Sequence, residues 1–121
     1  MVTRPLRDSV GAHYGSRSWL IQRSTALIMV VYTLVFLGLV ITKRRFDYEA
    51  WTALFSSAAF RVASLLFIAS LCWHAWIGMR DIWMDYVKPV GVRLLVEALT
   101  VVMLVIFVIW AADILWLGAV R

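Results

Sequence analysis

The chain is poor in most of what a soluble or secreted protein relies on. It holds one cysteine, Cys72, so no internal disulfide can form and the residue says nothing about redox compartment. Only 16% of its 121 residues are charged. A soluble chain this short exposes much of its surface and needs far more polar residues to cover it. A soluble globular domain is therefore excluded. The sequence also lacks a phosphate-binding P-loop, a Gly-rich dinucleotide turn, zinc-ligand spacing and a nucleophile triad. Histidine occurs twice. There is no internal repeat and no low-complexity segment.

What remains is apolar. Hydrophobic residues make up 64% of the chain, against ~45–50% for an ordinary soluble domain, and the mean hydropathy is +0.87. Seven Trp, four Tyr and six Phe add to the membrane signal, because amphipathic aromatics collect at the lipid–water interface. This composition excludes intrinsic disorder. The net charge of +5 does not point to nucleic acid, because the basic residues lie between or beside apolar runs. There they suit anionic headgroups and the positive-inside rule.

A membrane-spanning helix needs ~20 mostly apolar residues. Three stretches qualify, at about 25–42, 62–79 and 94–120, and the whole chain, 1–121, reads as a single membrane-anchor domain. The fold class expected is an all-α integral membrane protein with three transmembrane helices. The first stretch is too long for a secretory signal, and Lys43-Arg44-Arg45 follows it where a cleavage site would stand. With three spans, the N-terminal arm and the second loop share one side and carry Arg4, Arg7, Arg17, Arg23, Arg80, Lys88 and Arg93. The other side carries Lys43, Arg44, Arg45, Arg61 and Arg121. Seven against five favours a cytoplasmic N-terminus. Tyr48, Trp51, Leu54 and Phe55 sit at helical spacing in the first loop, which predicts a segment lying on the membrane surface or lengthening the second helix. Pro89 stops that second helix by Lys88.

Polar groups inside a membrane are expensive and usually have a job. His74 is the foremost. Ala63, Phe67, Ser70, His74, Gly78, Asp81 and Asp85 fall close to one helical stripe, mostly of small or polar residues. Such a stripe lets another helix or a flat cofactor approach closely. Imidazole is a common axial ligand of haem iron; a histidine in this position can equally hydrogen-bond across a helix interface. A haem with two histidine ligands needs a second one. The other histidine, His13, lies in the N-terminal arm, so a haem reading predicts a partner chain or a second copy. Arg23, on the same side as His74, suits a haem propionate or a snorkelling topology anchor. Asp85 and Tyr86 follow in the interface, where a phenol donor beside a carboxylate suits a quinone headgroup or an ordinary helix end in the aromatic belt. Glu97 reads as structural, favoured by the helix N-terminus and by an Arg93 one turn away. Asp113 lies sixteen residues on, roughly 160° around the helix from Glu97, so the two form no proton wire on one face. Cys72 and the methionines read as packing.

Taken together, His74-Ala-Trp-Ile-Gly78-Met, then Asp85-Tyr86-Val87-Lys88-Pro89, then Arg93-Leu94 resembles the hydrophobic membrane anchor, or D subunit, of bacterial succinate dehydrogenase. Arg23-Ser24-Thr25-Ala26 is similar to that family's Arg-x-Thr-Ala opening of the first span, and Tyr48-Glu49-Ala50-Trp51 is also similar. The resemblance covers nearly the whole chain from about Arg17 onward. It is less close to the companion C-type anchor, whose His-Arg-x-Ser/Thr-Gly opening is absent. Arg17-Ser18 stands where some members have His-Asp.

The resemblance implies two anchor subunits forming a bundle that holds a haem b, with each supplying one axial histidine, here His74. It implies Arg23 near the haem propionates, Tyr86 as hydrogen-bond donor to a quinone, ubiquinone or menaquinone, and Asp85 beside it. It implies a flavoprotein and an iron–sulfur subunit docked on the cytoplasmic side of the bacterial inner membrane. Electrons from succinate then pass through FAD and iron–sulfur clusters to the quinone. The expected function is that of a non-catalytic anchor of succinate:quinone oxidoreductase. Two alternatives are a haem-free quinone-binding anchor of a related complex and a small proton-coupled transporter subunit using Glu97 and Asp113.

Overall fold

The computed structural model of this protein describes residues 12–43, 45 and 47–118, with side chains from Gly15 onward. Arg4, Arg7, Arg44, Arg121 and the side chain of His13 lie outside the described residues, as does the end of the third expected span at 119–120. Four helices follow one another: α1 (Ala12–Thr42), α2 (Tyr48–Ser56), α3 (Ala58–Tyr86) and α4 (Val90–Leu117). Three of them are long and apolar enough to cross a bilayer.

The helices outrun the apolar windows from which the spans were predicted. α1 reaches back through Arg23 and Arg17, and α3 runs forward through Arg80, Asp81 and Asp85. Charges at a membrane interface bring snorkelling side chains into water without breaking the backbone ladder, so hydropathy marks the lipid-embedded part rather than the helix ends. What ends α3 is local. Val87 is extended, with φ −98° and ψ 102°, and its N–H closes the last turn on the Trp83 carbonyl. Lys88-Pro89 then forbids continuation, and α4 restarts at Val90.

The first loop folds as a helix of its own. Asp47 is extended and its carboxylate accepts the Ala50 N–H at 3.0 Å, a capping bond that satisfies one orphan donor. Glu49 lies in the same first turn, where the helix dipole favours it. Ser57, with ψ 123°, separates α2 from α3, so α2 does not simply lengthen the second span. Its aromatic face joins α1 to α3. Trp51 packs against Phe55 at 4.7 Å and edge-on to Phe36 at 6.4 Å, Phe55 meets Phe60 at 5.0 Å, and Tyr32 stacks on Phe67 at 4.7 Å.

α3 is the middle helix, packed against α1 on one side and α4 on the other, with both neighbours antiparallel to it. The buried core is small and largely polar. Beside Ile77, at 7% exposure, it consists of Thr25, Ser64 and Ser70 at 9%, 4% and 5%. Small hydroxyl residues suit helix contacts in lipid, where close backbone approach replaces the hydrophobic effect as the driving force. Ser64 Oγ donates to the Phe60 carbonyl at 2.8 Å and lies 2.6 Å from the Tyr32 hydroxyl. On the α4 side, Trp83 Nε1–H donates to Thr100 Oγ1 at 3.2 Å, and Thr100 in turn donates to the Val96 carbonyl at 2.7 Å. At the opposite end the Arg61 guanidinium lies over Trp116, 5.8 Å from the ring centre. Outward residues such as Leu27, Ile41, Leu99 and Ile109 are exposed, as a lipid-facing surface requires.

The Tyr32–Ser64 bond gives a modest expectation. Tyr32→Phe removes the inter-helix bond but leaves Ser64 bonded to Phe60. The loss should be about 0.5–1.5 kcal/mol by equilibrium unfolding in detergent. Ser64→Ala added to it should cost much less than the two changes summed.

Candidate functional site

The α1–α3 contact carries the polar group of interest. His74 is half-buried on α3, and its Nδ1 lies 3.2 Å from Thr25 Oγ1 on α1. Thr25 Oγ1 also lies 2.9 Å from the Ile21 carbonyl and 3.0 Å from the Gln22 carbonyl. This bond ties His74 to a residue 49 positions away in sequence. Nε2 has no hydrogen-bond partner among the described residues.

The stripe predicted around His74 divides along the helix. Ser70, one turn before it, is buried; Ala63, Phe67 and Gly78 are half-buried; Asp81 and Asp85 are exposed. A side chain at Gly78, one turn after His74, would meet nothing within 4 Å. There is thus open room on the helix surface at Gly78, one turn from His74. Among the described residues no group of three or more His, Cys, Asp or Glu is placed to hold a metal ion. His74 therefore stands as a single nitrogen donor. That donor set fits an iron whose other positions are filled by a macrocycle and a second chain.

The other predicted residues are not drawn to His74. Arg23 is exposed and its guanidinium lies over Trp19, 5.5 Å from the ring centre, a cation–π contact between residues one turn apart. Asp85 and Tyr86 are both exposed in the last turn of α3, Tyr86 at 81%. They lie ~17–18 Å along the helix axis from His74, at 1.5 Å per residue. The three residues thus mark two levels of one helix rather than one pocket. Two hollows lie elsewhere. One, of about 560 Å³, is lined by Tyr48, Trp51 and Phe55 of α2 and by Ile114 and Leu115 of α4. The other, of about 440 Å³, lies between Met79, Trp83, Leu99 and Phe107 and is almost wholly apolar. Neither contains His74 or Tyr86.

Glu97 is half-buried and Asp113 exposed. Glu97 lies two turns into α4 rather than in its first turn, beyond the reach of the helix dipole, and it forms no ion pair with Arg93 among the described residues. The dipole and Arg93 therefore do not account for it. Sequence reasoning passed over Thr25 as a partner of His74. The signal was a hydroxyl in the first span at the depth that faces the histidine when the two helices run antiparallel.

The family model described as "Succinate dehydrogenase/Fumarate reductase transmembrane subunit" matches residues 3–115. A relative from Coxiella burnetii (strain RSA 493 / Nine Mile phase I), named succinate dehydrogenase hydrophobic membrane anchor subunit, is 39% identical over 104 residues. That alignment covers 86% of this chain and 90% of the relative.

Proposed function

The chain belongs to the succinate dehydrogenase/fumarate reductase transmembrane-subunit family, and from that membership we propose that it anchors a succinate:quinone oxidoreductase while supplying one axial ligand to a shared haem b and part of a quinone site. It is a multi-pass membrane subunit, not the part that oxidises succinate. The observation that carries the haem reading is His74, half-buried, with Nδ1 engaged by Thr25 and Nε2 without a partner among the described residues. A bound haem supplies a one-electron store between the iron–sulfur clusters and the quinone.

The residues divide the work by level. His74 ligates through Nε2, and a C-type anchor chain supplies the second histidine. Arg23 leaves Trp19 to pair with a haem propionate, a charge-assisted bond stronger than a cation–π contact in a screened interface. Tyr86, exposed at the end of α3, offers its O–H to a carbonyl oxygen of ubiquinone or menaquinone, and Asp85 beside it orients the headgroup or passes protons. The flavoprotein and iron–sulfur subunits cover this end. The test is a reduced-minus-oxidised spectrum of the purified complex, with mass spectrometry of its chains. A b-type band and three co-purifying subunits are expected. Quinone reduction without such a band would leave a haem-free anchor instead.

Orientation follows from the same division. The Arg80–Arg93 segment, which holds Asp85 and Tyr86, faces the cytoplasm of a bacterial inner membrane, as does the N-terminus. The charge count and the need for the quinone residues to meet the soluble subunits both support this. In a Cys72→Ser background, a cysteine placed at Lys88 should resist a membrane-impermeant maleimide in intact cells and react in inverted vesicles stripped of the soluble subunits. One placed at Asp47 should do the reverse. Labelling at position 88 from outside intact cells overturns the orientation.

A further inference from the structure

Thr25 Oγ1 faces three polar atoms: the carbonyl oxygens of Ile21 and Gln22, at 2.9 and 3.0 Å, and His74 Nδ1 at 3.2 Å. A hydroxyl has one proton and two lone pairs, and a carbonyl can only accept. The proton is therefore shared between the two backbone oxygens, in the usual back-bonding arrangement of a helical threonine. A lone pair is what Thr25 turns toward His74. In that arrangement Nδ1 carries a proton toward Thr25, and in a neutral imidazole that leaves the lone pair on Nε2. Thr25 is 9% exposed, so water has little room to take the place of the hydroxyl. A helix leaves a threonine two main rotamers, and Thr25 takes one that puts Oγ1 within bonding distance of the Ile21 and Gln22 carbonyls.

We propose that Thr25 is a positioning residue for haem ligation: its hydroxyl accepts the Nδ1 proton of His74, which fixes the ring orientation, selects the tautomer with a free Nε2 and strengthens that nitrogen as a donor to iron. This rests on the haem reading above. The chemistry is that of an outer partner that orients a ligating histidine and strengthens its donation to the metal. Stronger donation favours the oxidised, more positive iron. Losing the bond therefore shifts the ferric–ferrous balance toward ferrous iron and raises the potential.

The experiment uses the whole complex, with assembly judged by subunit stoichiometry. Thr25→Val keeps the shape and removes the hydroxyl; Thr25→Ala removes both; Thr25→Ser keeps the hydroxyl. The readouts are the haem midpoint potential from a redox titration and the ferric low-spin electron paramagnetic resonance spectrum. Thr25→Val and Thr25→Ala should move the ferric–ferrous ratio at fixed ambient potential by threefold or more toward ferrous. For one electron that is a rise of at least about 28 mV, at 59 mV per tenfold change. Thr25→Ser should stay within twofold of wild type. Unchanged potential and spectrum in the Val and Ala complexes overturn the proposal, and so does a Ser complex shifted as far as the Val one, because packing and not the hydroxyl would then be responsible. A complex that assembles with Ser but with neither Val nor Ala also overturns it, making the hydroxyl a requirement for folding. His74→Ala runs alongside. If its b-type spectrum is unchanged, the haem reading itself fails, a result distinct from any of those at Thr25.

Discussion

His74→Ala should produce a complex whose reduced b-type band is lost or displaced. His74 is the sole histidine among the described side chains, so no other described imidazole can take its place at the same level of α3. Disturbing an outer partner of a ligating histidine already costs 10–100-fold in metal affinity, as a typical range. Removing the ligand should weaken haem retention by at least about 100-fold, or leave the iron with one protein ligand and a high-spin signal. Thr25 would lose its partner and keep its bonds to the Ile21 and Gln22 carbonyls, so α1 should stay helical. The decisive measurements are haem per complex by pyridine haemochromogen and the ferric spin state by electron paramagnetic resonance. Succinate oxidation by an artificial acceptor at the soluble subunits should change little. Quinone reduction can also persist, because a quinone near Tyr86 can take electrons directly from the iron–sulfur chain. The spectrum, not the turnover, decides the assignment. Wild-type haem content with an unchanged low-spin signal would reject His74 as the ligand.

The sequence makes the three spans plain and leaves their ends obscure, for one physical reason. Hydropathy reports where a helix meets lipid, and the backbone carries on through Arg17, Arg80 and Asp85 until a local signal stops it, such as extended Val87 ahead of Pro89. The separate α2 was half legible. Its aromatic spacing is visible, whereas its independence rests on the Asp47 cap and the extended Ser57. The candidate site divides in the same way. His74 is conspicuous because titratable groups are rare in a span, and the motif around it is specific. Thr25 carries no such flag, since a threonine in a span is commonplace and its bond to His74 exists only once two antiparallel helices are set in register. Arg23 differs again: its charge points to an anionic partner, whereas the contact its guanidinium makes is with the Trp19 ring one turn away. Of the hydroxyl-lined core, Ser70 is legible on the small-residue stripe around His74, whereas Thr25 and Ser64 are hidden, because apolar patterning cannot locate a core where most faces of a helix are apolar.

Tyr86→Phe should slow quinone reduction roughly 30- to 150-fold while leaving the rest of the electron path intact. Tyr86 is 81% exposed at the end of α3, and its hydroxyl has no partner among the described residues. A phenol O–H in that state is available to a molecule arriving from the bilayer. A quinone carbonyl oxygen is a weak acceptor until electrons arrive, and it becomes a strong one as negative charge builds on it. The bond to Tyr86 therefore strengthens along the reaction, and its loss should fall on rate more than on binding. A bond of that kind contributes ~2–3 kcal/mol, which sets the expected factor. The substitution removes one oxygen and keeps the ring, so it separates the hydrogen bond from packing in the aromatic belt. Asp85→Asn isolates the carboxylate in the same way and should leave a smaller defect. The assays are quinone reduction by the intact complex and succinate oxidation with an artificial acceptor at the soluble subunits, with haem content and subunit stoichiometry confirming assembly. Only the first rate should fall. A tyrosine serving solely as an interfacial anchor predicts no loss in either, because phenylalanine keeps the ring that packs. A fully assembled Tyr86→Phe complex that reduces quinone at the wild-type rate therefore removes the hydroxyl from the reaction.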